Sequence, residues 1–329
     1  MKVTYFYPAR STSIKRVFQA FNRNVNDRDE LDEPCEEVTP MGIFRNLLFT
    51  FRNRNRGGGI NHVAGGIHYC CLALPAKNTI LTIHDTVSLN YYKQNKIKYL
   101  FIYFFWYYLP LKHIKYITSI SPKTKEELGM LFPWCKSKIV FIPNALSPGF
   151  IFSPATKFSE IPRILHIGTR ENKNLKRVIK ALDGLPCHLR IIGKINKEIK
   201  SLLLEHKVEY SNNFNLTDQE ILLEYKKCDI VSFPSLYEGF GMPIIEGQAI
   251  GRPVITSNLS PMKEIAGGGA CLVNPCSVES IKNGFLKIIS DETYRKDIIN
   301  CGLDNVRHYN KDSVSSQYIS LYHKLVNIY

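Results

Sequence analysis

Short, nearly continuous apolar runs recur along the chain, with helix-length patterns between them. Val3–Tyr7, Thr79–Ile83, Tyr116–Ile120, Lys138–Ile142 and Arg163–Ile167 read as strands, as do Leu189–Ile192, Ile230–Phe233, Val254–Ser257 and Cys271–Val273. Runs of this kind suit parallel strands buried on both faces. Pro122–Met130, Leu175–Ala181, Lys197–His206, Asp218–Lys227, Pro243–Ile250, Val278–Ser290 and Tyr294–His308 carry helical patterns. The alternation predicts an α/β fold of doubly wound units. With 329 residues the chain has length for two such domains, at roughly 100–200 residues each. The stretch GFIFSPATKFSE (149–160), followed by the fresh strand RILHIG, marks the break. The reading is a Rossmann-like domain at 1–157, a second at 158–308, and a C-terminal helix at 309–329 that packs back on the first, with a central cleft between the two domains. In such sheets ligands lie beyond the carboxyl ends of the strands.

Apolar residues make up 44% and charged residues 22%, which excludes a disordered tail, a collagen-like fibre and a polytopic membrane protein. Lys and Arg number 43 against 29 Asp and Glu, a net charge of +14. That balance points to an anionic partner: nucleic acid, a phosphorylated ligand or an acidic membrane. The nine cysteines include no CxxC pair and no Cys/His metal spacing, as in a reduced thiol set. The start MKVTYFYPAR reads as a strand and not as an export segment, so a cytoplasmic location is expected.

The strongest local signal is SLYEGFGMPIIEGQAIGRPVITS, residues 235–257, directly after the strand IVSF. Gly239 and Gly241 leave a loop whose backbone can approach a ligand closely. Pro243 suits the first turn of a helix, and Gly251 ends it. Strand, glycine loop and helix N-terminus together make an anion site. Glu238 in the loop and Glu246 in the helix need hydrogen-bond donors, which sugar hydroxyls supply.

EGFGMPIIE, with two glutamates eight apart, resembles the signature of retaining family-4 glycosyltransferases (glycosyl transferases group 1) of GT-B fold. HIGTRENKNLKRVIKAL (166–182), CHLRIIG (187–193), ILLEYKKCDIVSFPS (221–235), GRPVITSN (251–258) and AGGGACLVNP (266–275) are similar to family segments and follow in the family's order. In the first half the likeness is thinner, through TIHDT (82–86), SISPKTKEEL (119–128) and FIPNA (141–145). The resemblance implies that Glu246 binds the ribose of a nucleotide and that Glu238 lies by the donor sugar. The backbone of Gly239, Phe240, Gly241 and Met242 would hold sugar hydroxyls or diphosphate. Lys173 would contact the diphosphate, with Arg170 as a second cation and Gly168 in the phosphate loop. His84, directly after a strand, would touch the donor sugar, while Asp85 reads as a turn residue.

The chain departs from the family pattern in places. Pro8-Ala9-Arg10-Ser11-Thr12-Ser13 replaces a glycine pair after the first strand. RNRNRGGGINHVAGGIHY (52–69) reads as a solvated loop, or as one whose Arg52, Arg54 and Arg56 line an anionic acceptor. PNA at 143–145 stands where the family has Pro-Asn-Gly, and Ala145 suits a left-handed turn poorly. Gly247 stands where alanine is commoner, which close helix packing would explain. Asp27-Arg28-Asp29 spells a DxD triplet inside the acidic run DRDELDEPCEE and reads as a solvated loop, so no metal site is expected. YLFIYFFWYYL (99–109) is too short for a bilayer span. It reads as a buried helix, or as an interfacial one with Lys93, Lys96, Lys98 and Lys112 on anionic lipid.

The expected activity is therefore retaining, metal-independent hexosyl transfer. The donor is a nucleotide sugar as co-substrate, with no other cofactor: a GDP-linked mannose or a UDP-linked glucose or GlcNAc. The acceptor would be a saccharide or lipid-linked saccharide of envelope polysaccharide, O-antigen or lipopolysaccharide synthesis. Peripheral association with an anionic membrane at the inner face of the plasma membrane is part of this reading, and nucleic acid is not. Two alternatives remain open: a basic nucleic-acid-binding protein, and a GT-B phosphorylase or sugar-nucleotide epimerase.

Overall fold

The computed structural model describes residues 2–8, 28–33, 40–55, 59–154 and 158–326. The chain divides into two compact units, Met1–Ala145 with Asn310–Tyr329, and Leu146–Tyr309. The division falls ahead of the stretch read as the break. Leu146 N–H donates to Tyr309 O at 2.8 Å and Ser153 N–H to Ile250 O at 3.2 Å. The Phe150 ring meets Tyr225 edge-on with centroids 5.1 Å apart. These contacts fix residues 146–153 to the second unit.

Among the described residues the first unit holds six parallel strands: β1 (Val3–Pro8), β2 (Arg28–Glu33), β3 (Ile60–Val63), β4 (Thr79–Ile83), β5 (Tyr116–Ser119) and β6 (Ile139–Phe141). Their order is β2-β1-β3-β4-β5-β6. Every step from β2 to β6 goes the same way across the sheet. Right-handed crossovers therefore place the connecting helices on one face. These include α1 (Pro40–Arg52) and α2 (Lys96–Phe101), which runs on as a π-helix over Ile102–Tyr108. Phe6, Val63, Leu81, Ile83 and Ile117 pack there against Tyr69, Trp106, Tyr107 and Phe132. The C-terminal helix, Lys311–Val326, belongs to this unit. Its buried Tyr322 hydroxyl lies 2.9 Å from Tyr5 Oη and 2.7 Å from His62 Nδ1. His62 Nε2 reaches Thr82 Oγ1 at 2.7 Å, and Thr82 reaches Thr118 Oγ1 at 2.6 Å.

Two readings are corrected in this unit. The described part of residues 52–69 is not one continuous loop: Arg52 ends α1, Ile60–Val63 is a fully buried strand, and His68 opens a 3₁₀ turn. Arg54 lies over the Phe51 ring, 3.5 Å from its centroid, while Arg56 falls outside the described residues. The triplet's Arg28 and Asp29 lie in β2, paired with Val3 and Thr4 of β1. Asp27, like the segment Ala9–Ser13, falls outside the described residues. Residues 99–109 are buried on one side only: Ile102, Trp106 and Tyr107 are buried, whereas Leu100, Phe101, Phe104 and Leu109 are exposed. Ala145 is absent from the described non-glycine residues with positive φ, which are Asn174, Lys207 and Asn215. The turn after β6 thus avoids the left-handed conformation that alanine resists.

The second unit holds six more parallel strands: β7 (Arg163–Ile167), β8 (His188–Ile192), β9 (Glu209–Asn213), β10 (Ile230–Phe233), β11 (Val254–Ser257) and β12 (Cys271–Val273). The order β12-β11-β10-β7-β8-β9 reverses between β7 and β10. That is the topological switch point, where the loops after neighbouring strands part and leave a crevice. Helices α3 (Leu175–Ala181), α4 (Asp218–Lys227) and α5 (Met242–Ile250) follow β7, precede β10 and follow β10. Helix α5 lies tight on the sheet. A Cβ added at Gly247 would come within 2.9 Å of Cγ2 of both Val231 and Val254, so the glycine there is a packing requirement.

Candidate active site

The site elements are the two loops at the switch point. Strand β7 ends at Ile167, and Gly168 turns the chain with φ +94°. A side chain at Gly168 would collide with the stem of Lys173, whose Cγ lies 2.9 Å from the position of the missing Cβ. The loop then forms a 3₁₀ turn, Glu171–Lys173, and passes through Asn174 at φ 64°, ψ 24°. Asparagine tolerates that left-handed conformation. Its buried amide donates to Pro234 O at 2.9 Å and Pro275 O at 2.7 Å. Asn174 thereby ties the loop after β7 to the loops after β10 and β12.

This tie sets up the central contact. Lys173 Nζ lies 2.7 Å from Glu238 Oε1, both side chains half-buried. Asn172 Nδ2 donates to the same oxygen at 3.2 Å and to Tyr237 O at 3.0 Å. Leu236 N–H returns a bond to Asn172 O at 2.8 Å. The ammonium also sits 4.8 Å from the centroid of the Phe233 ring. Gly241 borders the same ring, and its missing Cβ would be 3.5 Å from Phe233 Cε1. Gly241 caps α5 with φ 121° and admits Pro243 in the first turn. The Phe233 ring thus joins Lys173 to the positive end of α5.

Glu246 lies one turn into α5, half-buried. Tyr225 of α4 donates its hydroxyl to Oε2 at 2.7 Å, and Ser147 donates to Oε1 at 3.3 Å. Burial first, then the charge of Glu246, raises the Tyr225 pKa well above that of an ordinary phenol. Tyr225 therefore stays a proton donor to the carboxylate. Phe240 turns its side chain into the core, 4% exposed, edge-on to Tyr309 at 5.8 Å. What Phe240 can offer a ligand is its backbone. Gly239 and Met242 are half-buried in the same loop.

Arg170 is exposed and precedes the 3₁₀ turn. It lines a cavity of about 600 Å³ with Asn174, Lys176, Arg177, Lys180 and Glu198, and Lys173, Glu238 and Glu246 do not line that cavity. His84 belongs to the first unit, at the end of β4. Its Nε2 lies 3.2 Å from Ala64 O, so Nε2 carries the proton. Burial lowers its pKa to about 4, which the Ala64 carbonyl only partly offsets. The ring lies against Gly65, where an added Cβ would meet His84 Cδ2 at 2.4 Å.

Sequence reasoning missed the residues that aim these groups. Asn174, Tyr225, Ser147 and Gly65 act through partners distant in the chain. Only the glycine pair after β3 carried a local signal.

The sequence profile of the family described as Glycosyl transferases group 1 matches residues 151–303. O-antigen chain mannosyltransferase B of Escherichia coli is 26% identical over 233 residues, covering 64% of this chain and 61% of that protein. The chain thus spans less than two thirds of that relative's length. The structure of Anabaena HepE in complex with UDP and glucose is similar with a TM-score of 0.77 at 12% identity, covering 98% of this chain and 100% of that one. Sucrose-phosphate synthase from Thermosynechococcus elongatus is similar with a TM-score of 0.75 at 15% identity, covering 100% of this chain and 99% of that one. Among the described residues no helix is long and apolar enough to cross a membrane. Residues 151–303, in the second unit, thus match the glycosyl transferases group 1 profile, and the chain shares the two-domain α/β fold of its solved neighbours.

Proposed function

We propose that the chain is a retaining hexosyltransferase that uses a nucleotide diphosphate sugar and extends a saccharide of an envelope polysaccharide. The observation that carries this reading is the Lys173–Glu238 pair, held at 2.7 Å beside the N-terminus of α5. A cation, a carboxylate and free helix N–H groups at one switch point match what a departing diphosphate and a sugar ring require. The hard step is cleavage of the bond between the anomeric carbon and the diphosphate oxygen. Negative charge grows on that oxygen, and groups already aimed at it lower the barrier most.

In this reading the donor takes over both halves of the pair. The Lys173 ammonium turns to the diphosphate, and Glu238 accepts hydroxyl protons from the sugar. Glu246, oriented by Tyr225 and Ser147, accepts from the ribose. Gly168 leaves room for the lysine stem, and the backbone of Gly239, Phe240, Gly241 and Met242 faces the ligand. Arg170 supplies a second cation to the diphosphate. The acceptor hydroxyl attacks from the face the diphosphate leaves, and its proton passes to the leaving oxygen, so the anomeric configuration is retained. The charge relief comes from the chain's own cations, and turnover is expected to survive EDTA.

GDP-mannose is the first donor to test, because O-antigen chain mannosyltransferase B is a relative. UDP-glucose is the second, because UDP and glucose are named with HepE. A thermal-shift panel of these donors and UDP-GlcNAc tests the reading. Ligand at 100 times its dissociation constant stabilises by about 2.7 kcal/mol. A panel with no shift, together with unchanged turnover in Lys173→Ala and Glu246→Ala, would overturn it.

A further inference from the structure

Helix α1 is turned inside out. At about 100° per residue, Met41, Phe44, Leu48 and Phe51 share an arc of about 80°. This is the face turned to solvent: Met41 is 66% exposed, Phe44 62% and Phe51 48%. The opposite face carries Ile43, Asn46 and Thr50, and it is buried. Asn46 Nδ2 donates to Tyr69 Oη at 2.6 Å, and Thr50 Oγ1 to Asn46 O at 2.7 Å. A helix that hydrogen-bonds its polar side inward and holds two phenylalanines outward presents an apolar face to solvent, with Arg54 at its end over the Phe51 ring.

The neighbouring segment repeats the pattern. Tyr69, which Asn46 holds, packs on Trp106 with ring centroids 4.5 Å apart. Trp106 belongs to the π-helix continuing α2, and Ile97, Leu100, Phe101 and Phe104 of this stretch are exposed. Both helices lie on the same face of the sheet, by the crossover argument above.

Charge selects the occupant. Residues 38–125 contain twelve Lys and Arg against one acidic residue, Asp85, and so hold eleven of the chain's fourteen net charges. Arg45 and Arg52 border the apolar face of α1, and Lys93, Lys96, Lys98 and Lys112 are exposed beside the second patch. A second copy of this chain would bring the same positive charge to the same face. A nucleic acid would leave the Met, Leu and Phe side chains without a partner. We propose that this face of the first unit docks on an anionic lipid bilayer, with Phe44, Phe51, Ile97 and Leu100 entering the headgroup boundary and the basic residues on lipid phosphates.

Flotation of the full chain with phosphatidylcholine vesicles, with and without phosphatidylglycerol, tests this. The chain is expected to float with the anionic vesicles and much less with the neutral ones. Phe44→Ser/Phe51→Ser and Arg45→Glu/Arg52→Glu are each expected to lower the partition coefficient at least roughly tenfold, with circular dichroism and Tm unchanged because all four side chains are exposed. Wild-type protein that ignores anionic vesicles, or variants that float as wild type does, would overturn the proposal. So would a dimer that Phe44→Ser/Phe51→Ser makes monomeric without altering flotation, or tight oligonucleotide binding that the arginine pair alone abolishes. The measurement involves no sugar nucleotide. Lys173→Ala is expected to float normally, so failure of the docking surface and failure of the transferase reading are told apart.

Discussion

Lys173 Nζ and Glu238 Oε1, 65 residues apart in sequence, meet at 2.7 Å across the point where the second sheet reverses its strand order. Neither loop makes the pair alone. Asn174 locks one to the other through two buried carbonyls, and the missing side chain of Gly168 leaves the lysine stem its path. Removing the ammonium is expected to act on the transition state more than on binding. Lys173→Ala should lower kcat by about 10²–10³-fold, or ~3 kcal/mol, with a smaller change in KM. Steady-state kinetics on the best donor of the panel checks this, and a pure KM effect would reassign the lysine to ground-state binding.

Tyr225 reaches Glu246 from the adjacent helix with a hydroxyl that burial keeps protonated. Tyr225→Phe takes away a hydrogen bond to a charged group, worth about 1.5–3 kcal/mol where fully desolvated. Glu246 is half-buried, so the expected loss is at the lower end, about tenfold in donor affinity by calorimetry. Equal affinity in the variant would detach Glu246 from the nucleotide.

Gly247→Ala should destabilise the second unit although alanine is the better helix former. The propensity gain is about 1 kcal/mol. Against it stand two valine methyl groups 2.9 Å from the new Cβ, and overpacking a core costs about 1–3 kcal/mol. A lowered Tm is expected, recovered in part by adding Val231→Ala. A raised Tm would mean that α5 can lift off the sheet at little cost.

Acid should loosen the first unit. Burial, with a smaller contribution from His84, lowers the His62 pKa from 6.5 to about 3. His68 and His84 lie near 4, chiefly through burial as well. The unfolded chain takes up these protons below pH 6.5 while the folded chain does not, so stability is full above that pH and falls as the pH drops from about 6.5 toward 3. Urea titrations at pH 7, 6, 5 and 4 should show a steadily falling midpoint. The dependence should be shallower in His62→Gln, and a flat profile would contradict the buried neutral imidazoles.

The central strands and the site loops were legible because their chemistry is local. RILHI, IVSF and VITS are apolar runs that only a doubly buried strand accommodates, and Gly239, Gly241 and Pro243 spell a loop and a helix start. The edges were not legible. Arg28–Glu33 and Glu209–Asn213 are polar strands at the rims of their sheets, where among the described residues one side faces no partner strand and alternation or apolar runs are not demanded. Ile60–Val63 was hidden by the glycines and arginines around it. Helix α1 defeated the reading for another reason: its apolar stripe does not face the core. Among the site residues, Glu238 and Glu246 stood out beside the glycine loop, and Lys173 through the family resemblance. Their supports, Asn174, Tyr225 and Ser147, converge only once the sheet has formed.

The hydroxyl of Tyr322 closes the network of Tyr5, His62, Thr82 and Thr118 beneath the first sheet. Tyr322 is translated after the whole of residues 146–309. A nascent chain can thus complete its second unit while the first, although made earlier, still holds an unsealed polar seam.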